Sequence, residues 1–352
     1  MEGQFNGSKL AGSIKITPAV ELNYSKPQRR SFPRGRLKSI IYYGQKKHDQ
    51  QPPDSGMIRI GPAGWDYPDW QGVVYPPKLK GTERLVFLSQ FFPVVEINVT
   101  FYRPLSPVVA GRWLEAVAER PDFRFTAKLL QVFSHDRSAA VWAEAVPVKA
   151  GLEPLLRHGR LGALLAQFPY SFHNTSENRA YLLTLKEHFA DYPLAVEVRH
   201  RSWQRPEVRQ FLQEQRLEFC NIDQPQVSYA LGATDWVTGQ VGYLRLHGRN
   251  RRAWFGKLDD PHARYDYLYE PQELVELSQR AQKLAAQVPE TYLIFNNHPH
   301  GQAVANALEM VQLLCPTRLV LPAGLKAAFP RLINLDATER VKQQGSLPFP
   351  EN

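Results

Sequence analysis

Eight strand-like runs, spaced evenly through the chain, each finish in polar or glycine residues: Ile58–Ile60, Val94–Asn98, Phe123–Lys128, Leu161–Phe168, Leu194–Arg199, Leu217–Asp223, Val241–His247 and Tyr292–Asn297. Segments with helical apolar spacing lie between them, so the pattern reads strand, helix, strand, helix, eight times over. That alternation predicts an α/β fold, a (β/α)8 TIM barrel. A closed barrel of this kind uses about 250 residues, and the stretch 57–316 matches that size. The 352 residues therefore divide into a leader at 1–56, a barrel at 57–316 and a C-terminal extension at 317–352.

The charge is concentrated in the leader. Residues 1–56 hold ten Lys and Arg against four acids, a net of +6, and leave only +3 of the chain's +9 to everything else. The high pI is mainly a property of that segment and is no argument that the barrel grips nucleic acid. With little apolar periodicity and a Gln-Gln-Pro-Pro-Asp-Ser-Gly end, the leader is expected to be a disordered basic extension. It lacks the apolar core of a secretory signal. No run approaches the roughly 18 apolar residues that span a bilayer. Two cysteines, Cys220 and Cys315, make no disulfide framework, and the cytoplasm is the expected compartment.

Helix signals fall where a barrel needs them. Ser106 precedes Pro107 as a capping residue before a first-turn proline, and Val109, Trp113, Leu114 and Val117 follow on one side. Leu85, Leu88 and Phe91 form another such stripe, as do Tyr181, Leu182, Leu185 and Phe189. Such stripes are helix faces packed on the barrel.

Strand side chains alternate, so one inward assignment sets the rest of each strand. Taking the polar ends as inward points Glu96 and Asn98, Thr126 and Lys128, Gln167, Glu197 and Arg199, Asn221 and Asp223, Arg245 and His247, and Asn296 and His298 at one mouth. In the first strand Gly61 and Gly64 leave room for close backbone approach to a ligand. The carboxyl-terminal mouth is where barrels of this kind do chemistry.

Lys128, Arg199 and Arg245 converge there as cations, and the planar arginine fork suits carboxylate or phosphate. The expected substrate is an anionic small molecule or a nucleic acid. Glu96 or Glu197 is the expected acid/base with His247 or His298 as partner, and Asn98 and Asn297 donate to a developing oxyanion. Asn98, Tyr102, Gln167, His200, Arg249 and Trp254 complete the expected binding surface. The long connection Gly248–Glu270 interleaves Arg249, Arg251 and Arg252 with Trp254, Tyr265, Tyr267 and Tyr269, a mix that can hold phosphates while stacking a ring. The same charges also read as an internal salt-bridge network that closes the barrel top. A divalent metal on Glu197, Asp223 and His247 is a further option, opposed by the neighbouring cations.

These residues resemble the DUF72 (YecE-like) family of (β/α)8 barrels. The resemblance rests on Ile60-Gly61-Pro62-Ala63-Gly64-Trp65, Val95-Glu96-Ile97-Asn98-Val99-Thr100-Phe101-Tyr102, Phe123 to Lys128, Gln167-Phe168-Pro169, Glu197-Val198-Arg199-His200, Leu244 to Arg249, and Phe295-Asn296-Asn297-His298. It implies the barrel and names no reaction. Pro62 and Ala63 stand where the family often has hydroxyl residues. At fold level the barrel is also similar to the xylose isomerase-like group, where Glu197, Asp223 and His247 fall on metal-bearing strands.

The combined reading is a hydrolase that processes a phosphate-bearing substrate, a nucleic acid or nucleotide derivative. Its alternatives are an enzyme for a carboxylated or sugar ligand and a non-catalytic binding module recruited to DNA. The last rests on Gln344, Leu347 and Phe349, whose spacing resembles peptides that dock bacterial sliding clamps.

Overall fold

A computed structural model describes residues 56–254, 261–316 and 319–336. The basic leader (all but Gly56) and the tail residues Gln344, Leu347 and Phe349 lie outside the described residues.

Eight parallel strands follow one another around the axis: β1 (Met57–Pro62), β2 (Val94–Ile97), β3 (Arg124–Lys128), β4 (Leu161–Gln167), β5 (Leu194–Glu197), β6 (Glu218–Asp223), β7 (Val241–Leu246) and β8 (Glu290–Phe295). Neighbours in sequence are neighbours in the sheet, and β1 pairs with β8. The last gap is bridged only where Ala63 meets Glu96 and the Gly64 amide donates to the Glu96 carbonyl at 2.8 Å. This is the expected (β/α)8 barrel, nearly closed.

Gly61 is what lets β1 and β2 approach. A Cβ there would collide with the Val94 carbonyl oxygen, so the missing side chain serves the strand seam and not a ligand. Gly64 turns with φ of 80°, a conformation open to glycine.

Helices α1 (Thr82–Leu88), α2 (Pro107–Ala116), α3 (Ala145–Arg157), α4 (Ser176–His188), α5 (Pro206–Glu214), α7 (Pro271–Ala285) and α8 (Gln302–Leu314) cover the barrel, with the one-turn α6 (Arg251–Trp254) and α9 (Ala323–Ala328) between and after them. The strand and helix alternation fails once, because 224–240 carries β6 to β7 without a helix. The apolar stripes face inward as expected: Leu85 and Leu88, Trp113 and Val117, and Leu182 and Leu185 are all buried. Each such leucine contributes about 1.5–3 kcal/mol through burial. Local signals agree with the helix starts. In α4 the Thr175 side chain accepts from the Asn178 amide, and Pro271 opens α7 behind a Glu270–Glu273 capping box. Ser106 occupies the cap position of α2, yet its side chain makes no cap bond.

The described part of the C-terminal extension belongs to the same core. Leu319, Leu325 and Leu332 are buried, and Arg331 pairs with Glu309 on α8 at 2.7 Å. The barrel unit therefore runs past 316. No helix among the described residues is long and apolar enough to cross a membrane.

Candidate functional site

Register decides which side chains reach the interior, since residues paired on adjacent parallel strands share a face. Tyr243 and Arg245 of β7 point inward, and their β6 partners are Cys220 and Ile222. Asn221 and Asp223 pair instead with Leu244 and Leu246 and face outward. The inward rule drawn from the sequence thus fails on β6. Asp223 receives Arg249 at 2.8 Å and the Tyr269 hydroxyl at 2.7 Å, with Arg280 of α7 nearby at 3.9 Å.

Three expected roles change with it. The Glu197, Asp223 and His247 set is not brought together, and among the described residues no group of three or more His, Cys, Asp or Glu can hold a metal. Arg249 is committed to Asp223 and to Glu273 at 3.0 Å, so its fork does not face the mouth. Asn297 donates to the Tyr267 carbonyl at 2.9 Å and to Asn306 of α8 at 2.8 Å. Its neighbour Asn296 is the one that reaches inward.

At the mouth a largely buried network joins seven residues from five strands and their ends. Arg245 donates through Nε and Nη2 to Glu96 at 3.0 and 2.7 Å, through Nη1 to Gln167 at 3.1 Å, and also through Nη1 to Glu197. Glu197 receives the Nε2 proton of His247 at 3.1 Å, and Asn296 Nδ2 donates to His247 Nδ1 at 3.0 Å. The Tyr243 hydroxyl donates to Glu96 at 2.9 Å. Glu96, Glu197, Arg245 and His247 are wholly buried.

Burial works against charge in this network, and the partners decide the balance. It would raise Glu197, but Arg245, His247 and Arg199 outweigh it and hold the carboxyl well below its usual range. Burial lowers His247 to about 4 despite the neighbouring Glu197. The imidazole is therefore neutral at pH 7, with its proton on Nε2. For Arg245, burial is outweighed by Glu197 and Glu96, which push its pKa up. All three guanidinium nitrogens are engaged, so Arg245 is a brace between carboxylates.

Two cations remain turned toward the opening. Arg199 bonds Glu197 at 3.1 Å, keeps a buried Nε without a hydrogen-bond partner, and lies under the Trp254 ring at 5.4 Å. Lys128 has no hydrogen bond or ion pair among the described residues, and its ammonium rests over Phe101 at 3.9 Å. Burial and Arg245 lower its pKa to about 7, against the pull of Glu96 and Glu197.

The roof is aromatic. Trp254 of α6 and Tyr265 stand about the His247 ring, with centroids at 6.1 and 6.0 Å. Tyr67 stacks on His298 at 4.6 Å, and His262 meets His298 at 3.0 Å. Tyr67 also receives Asn98 Nδ2 at 3.2 Å. Tyr102 is 68% exposed and stands on the rim. His200 lies apart, bonded to Ser202 at 2.9 Å and stacked on His173 at 4.0 Å.

Tyr243, Asn296 and Tyr67 are thus mouth residues that the sequence reading left without roles, while His298 and Tyr265, which it did name, also stand at the mouth. Tyr243 was legible, because it lies two positions before Arg245 and shares its face. Tyr67 carried no such signal, since it sits in a loop.

Comparison with known proteins agrees with this architecture. Residues 59–328 match the family described as "Protein of unknown function DUF72". The UPF0759 protein YunF of Bacillus subtilis (strain 168) is 32% identical over 279 residues, 73% of this chain and 95% of that one. A DUF72 family protein from Thermotoga maritima MSB8 is similar at 36% identity and a TM-score of 0.66, over 73% of this chain and 99% of that structure. Another, from Enterococcus faecalis V583, has 27% identity and a TM-score of 0.65, over 73% and 95%. With the family match spanning residues 59–328 and a relative 32% identical over 95% of its length, the chain belongs to the DUF72 family.

Proposed function

We propose that the barrel is an enzyme for an anionic substrate, with a phosphate ester or phosphodiester as the first candidate. The observation that carries this reading is Lys128, an ammonium at the mouth with no partner among the described residues and a pKa of about 7. A group poised near neutral pH both attracts an anion and exchanges a proton. Arg199, with its unused Nε, is the second anion contact. Glu96 and Glu197 then act mainly through Arg245, as fixed acceptors that keep the floor rigid, and Lys128 takes the acid/base role.

The test is hydrolysis of a phosphomonoester, phosphodiester and abasic-DNA panel by wild type, Lys128→Met and Arg199→Ala. Wild-type turnover with an activity limb near pH 7 that Lys128→Met abolishes supports the reading. No wild-type turnover across the panel would remove the phosphate assignment. Full activity in Lys128→Met would remove the assignment of Lys128.

Trp254 and Tyr265 favour a second reading, a carboxylated sugar, because flat ring faces over a charged floor suit a pyranose carrying an acid. Thermal stabilisation by sugar acids and not by phosphates or nucleotides would select it. Clamp docking through Gln344, Leu347 and Phe349 stays a proposal about residues beyond those described. Deleting 344–352 should abolish retention on an immobilised clamp, and unchanged retention would discard it.

A further inference from the structure

A cavity of about 630 Å³ opens beside the mouth, between the β1–α1 and β2–α2 connections and the start of α2. Its size is in the range of small-molecule sites, roughly 300–1,000 Å³. The walls include Trp65 and Trp113, packed edge to face at 4.9 Å. Both indoles are largely buried, so they give the cavity an apolar lining on rigid supports.

Two arginines stand at its edge. Arg103 and Arg112 line the cavity and are exposed, and neither forms an ion pair among the described residues. The one carboxylate of the lining, Asp66, is already paired with Arg84. The cavity therefore carries an uncompensated positive edge over an apolar lining. Asn98 adds a directional group. Its Nδ2 is spent on Tyr67, while its Oδ1 is buried with no hydrogen-bond partner. A buried acceptor without a partner keeps its desolvation cost unrepaid, and a ligand N–H or O–H at that point relieves it.

We propose that this cavity is a second ligand site, selective for a flat aromatic or heteroaromatic group that carries an anionic substituent and an N–H or O–H donor. The ring packs against Trp65 and Trp113, the anion meets Arg103 and Arg112, and the donor meets Asn98 Oδ1. The site does not depend on the reaction assigned to the mouth. Tyr67 and Asn98 border both sites, through the Tyr67 stack on His298, and the Gly64 amide bonds the Glu96 carbonyl.

Indole-3-propionate supplies all three features and serves as the probe, with its neutral amide as control. Calorimetric titration of the full chain should show one saturable site for the acid and binding at least about fivefold weaker for the amide. The Arg103→Ala/Arg112→Ala double variant alters exposed residues, so it should keep its fold and lose at least about fivefold in affinity for the acid. Lys128→Met should bind the acid as wild type does. Absence of saturable binding, equal binding of acid and amide, or unchanged affinity in the double arginine variant would each overturn the site. Loss of binding in Lys128→Met would overturn it as a separate site, whatever chemistry the mouth performs.

Discussion

Arg245 on β7 reaches through the barrel interior and grips Glu96 on β2 with two nitrogens, at 3.0 and 2.7 Å. A bidentate pair of this kind locks the guanidinium plane, and the remaining Nη1 is shared between Gln167 and Glu197. The arginine thereby ties β2, β4 and β5 to β7 at the level where the mouth begins. Its charge is consumed in doing so.

Removing that cation leaves two buried carboxylates facing each other. Arg245→Met is expected to cost about 3–5 kcal/mol of folding stability, measured by urea denaturation. Pairing it with Glu96→Gln should restore part of the loss, because the double variant buries one charge fewer. A single variant within about 1 kcal/mol of wild type would mean that the brace is not structural.

Lys128 makes stability depend on alkaline pH. Its pKa is about 7 in the fold and near the ordinary 10.5 when unfolded, so between those values the unfolded chain holds a proton that the folded one lacks. Stability is then expected to rise with pH from about 7 towards 10.5. Thermal melts across that range should show the rise in wild type and a flatter profile in Lys128→Met. Identical profiles would contradict the lowered pKa.

Acid acts through the neighbouring pair. His247 takes a proton at 6.5 when unfolded and only near 4 when folded, so stability should fall as pH drops through that window, by on the order of 3 kcal/mol. Glu197, held low in the fold, adds a loss that starts below the ordinary carboxylate value of 4.5 and grows as pH falls further. His247→Gln should remove the first part and retain the second. A wild type with equal stability at pH 6.5 and 4.5 would refute the assignment.

Gly61 offers a test of the barrel seam. Adding one methyl group drives a Cβ into the Val94 carbonyl, and Gly61→Ala should lose about 1–3 kcal/mol as β1 and β2 move apart. Gly72, where nothing lies within 4 Å of the added Cβ but φ is 82°, is a control for backbone strain alone. Equal losses at the two positions would count against a specific seam clash.

Most of the mouth is legible in the sequence. Glu96, Gln167, Glu197, Arg199, Arg245 and His247 lie at strand ends in alternation, and all six meet in one network. The failures share a cause. At β6 the polar residues Asn221 and Asp223 looked like the inward set, yet small and apolar Cys220 and Ile222 occupy the interior. Polarity marked a buried outward face, where Asp223 answers Arg249 and Arg280, and polar residues between a sheet and its helices carry the same signature as polar residues in a site.

What the sequence determined by itself was the number of strands, their order and the level at which polar groups gather, because a period of two and a strand-to-helix rhythm are properties of a linear chain. The phase of each alternation belongs to the tertiary structure alone. Pairing with β7 chose Cys220 over Asn221, and the course of the chain out of β8 brought Asn296 to His247 and Asn297 to α8. The spending of Arg245 on Glu96, and the sparing of Lys128, were likewise decided by distances between strands far apart in sequence, where only the closed barrel brings opposite charges within hydrogen-bond reach.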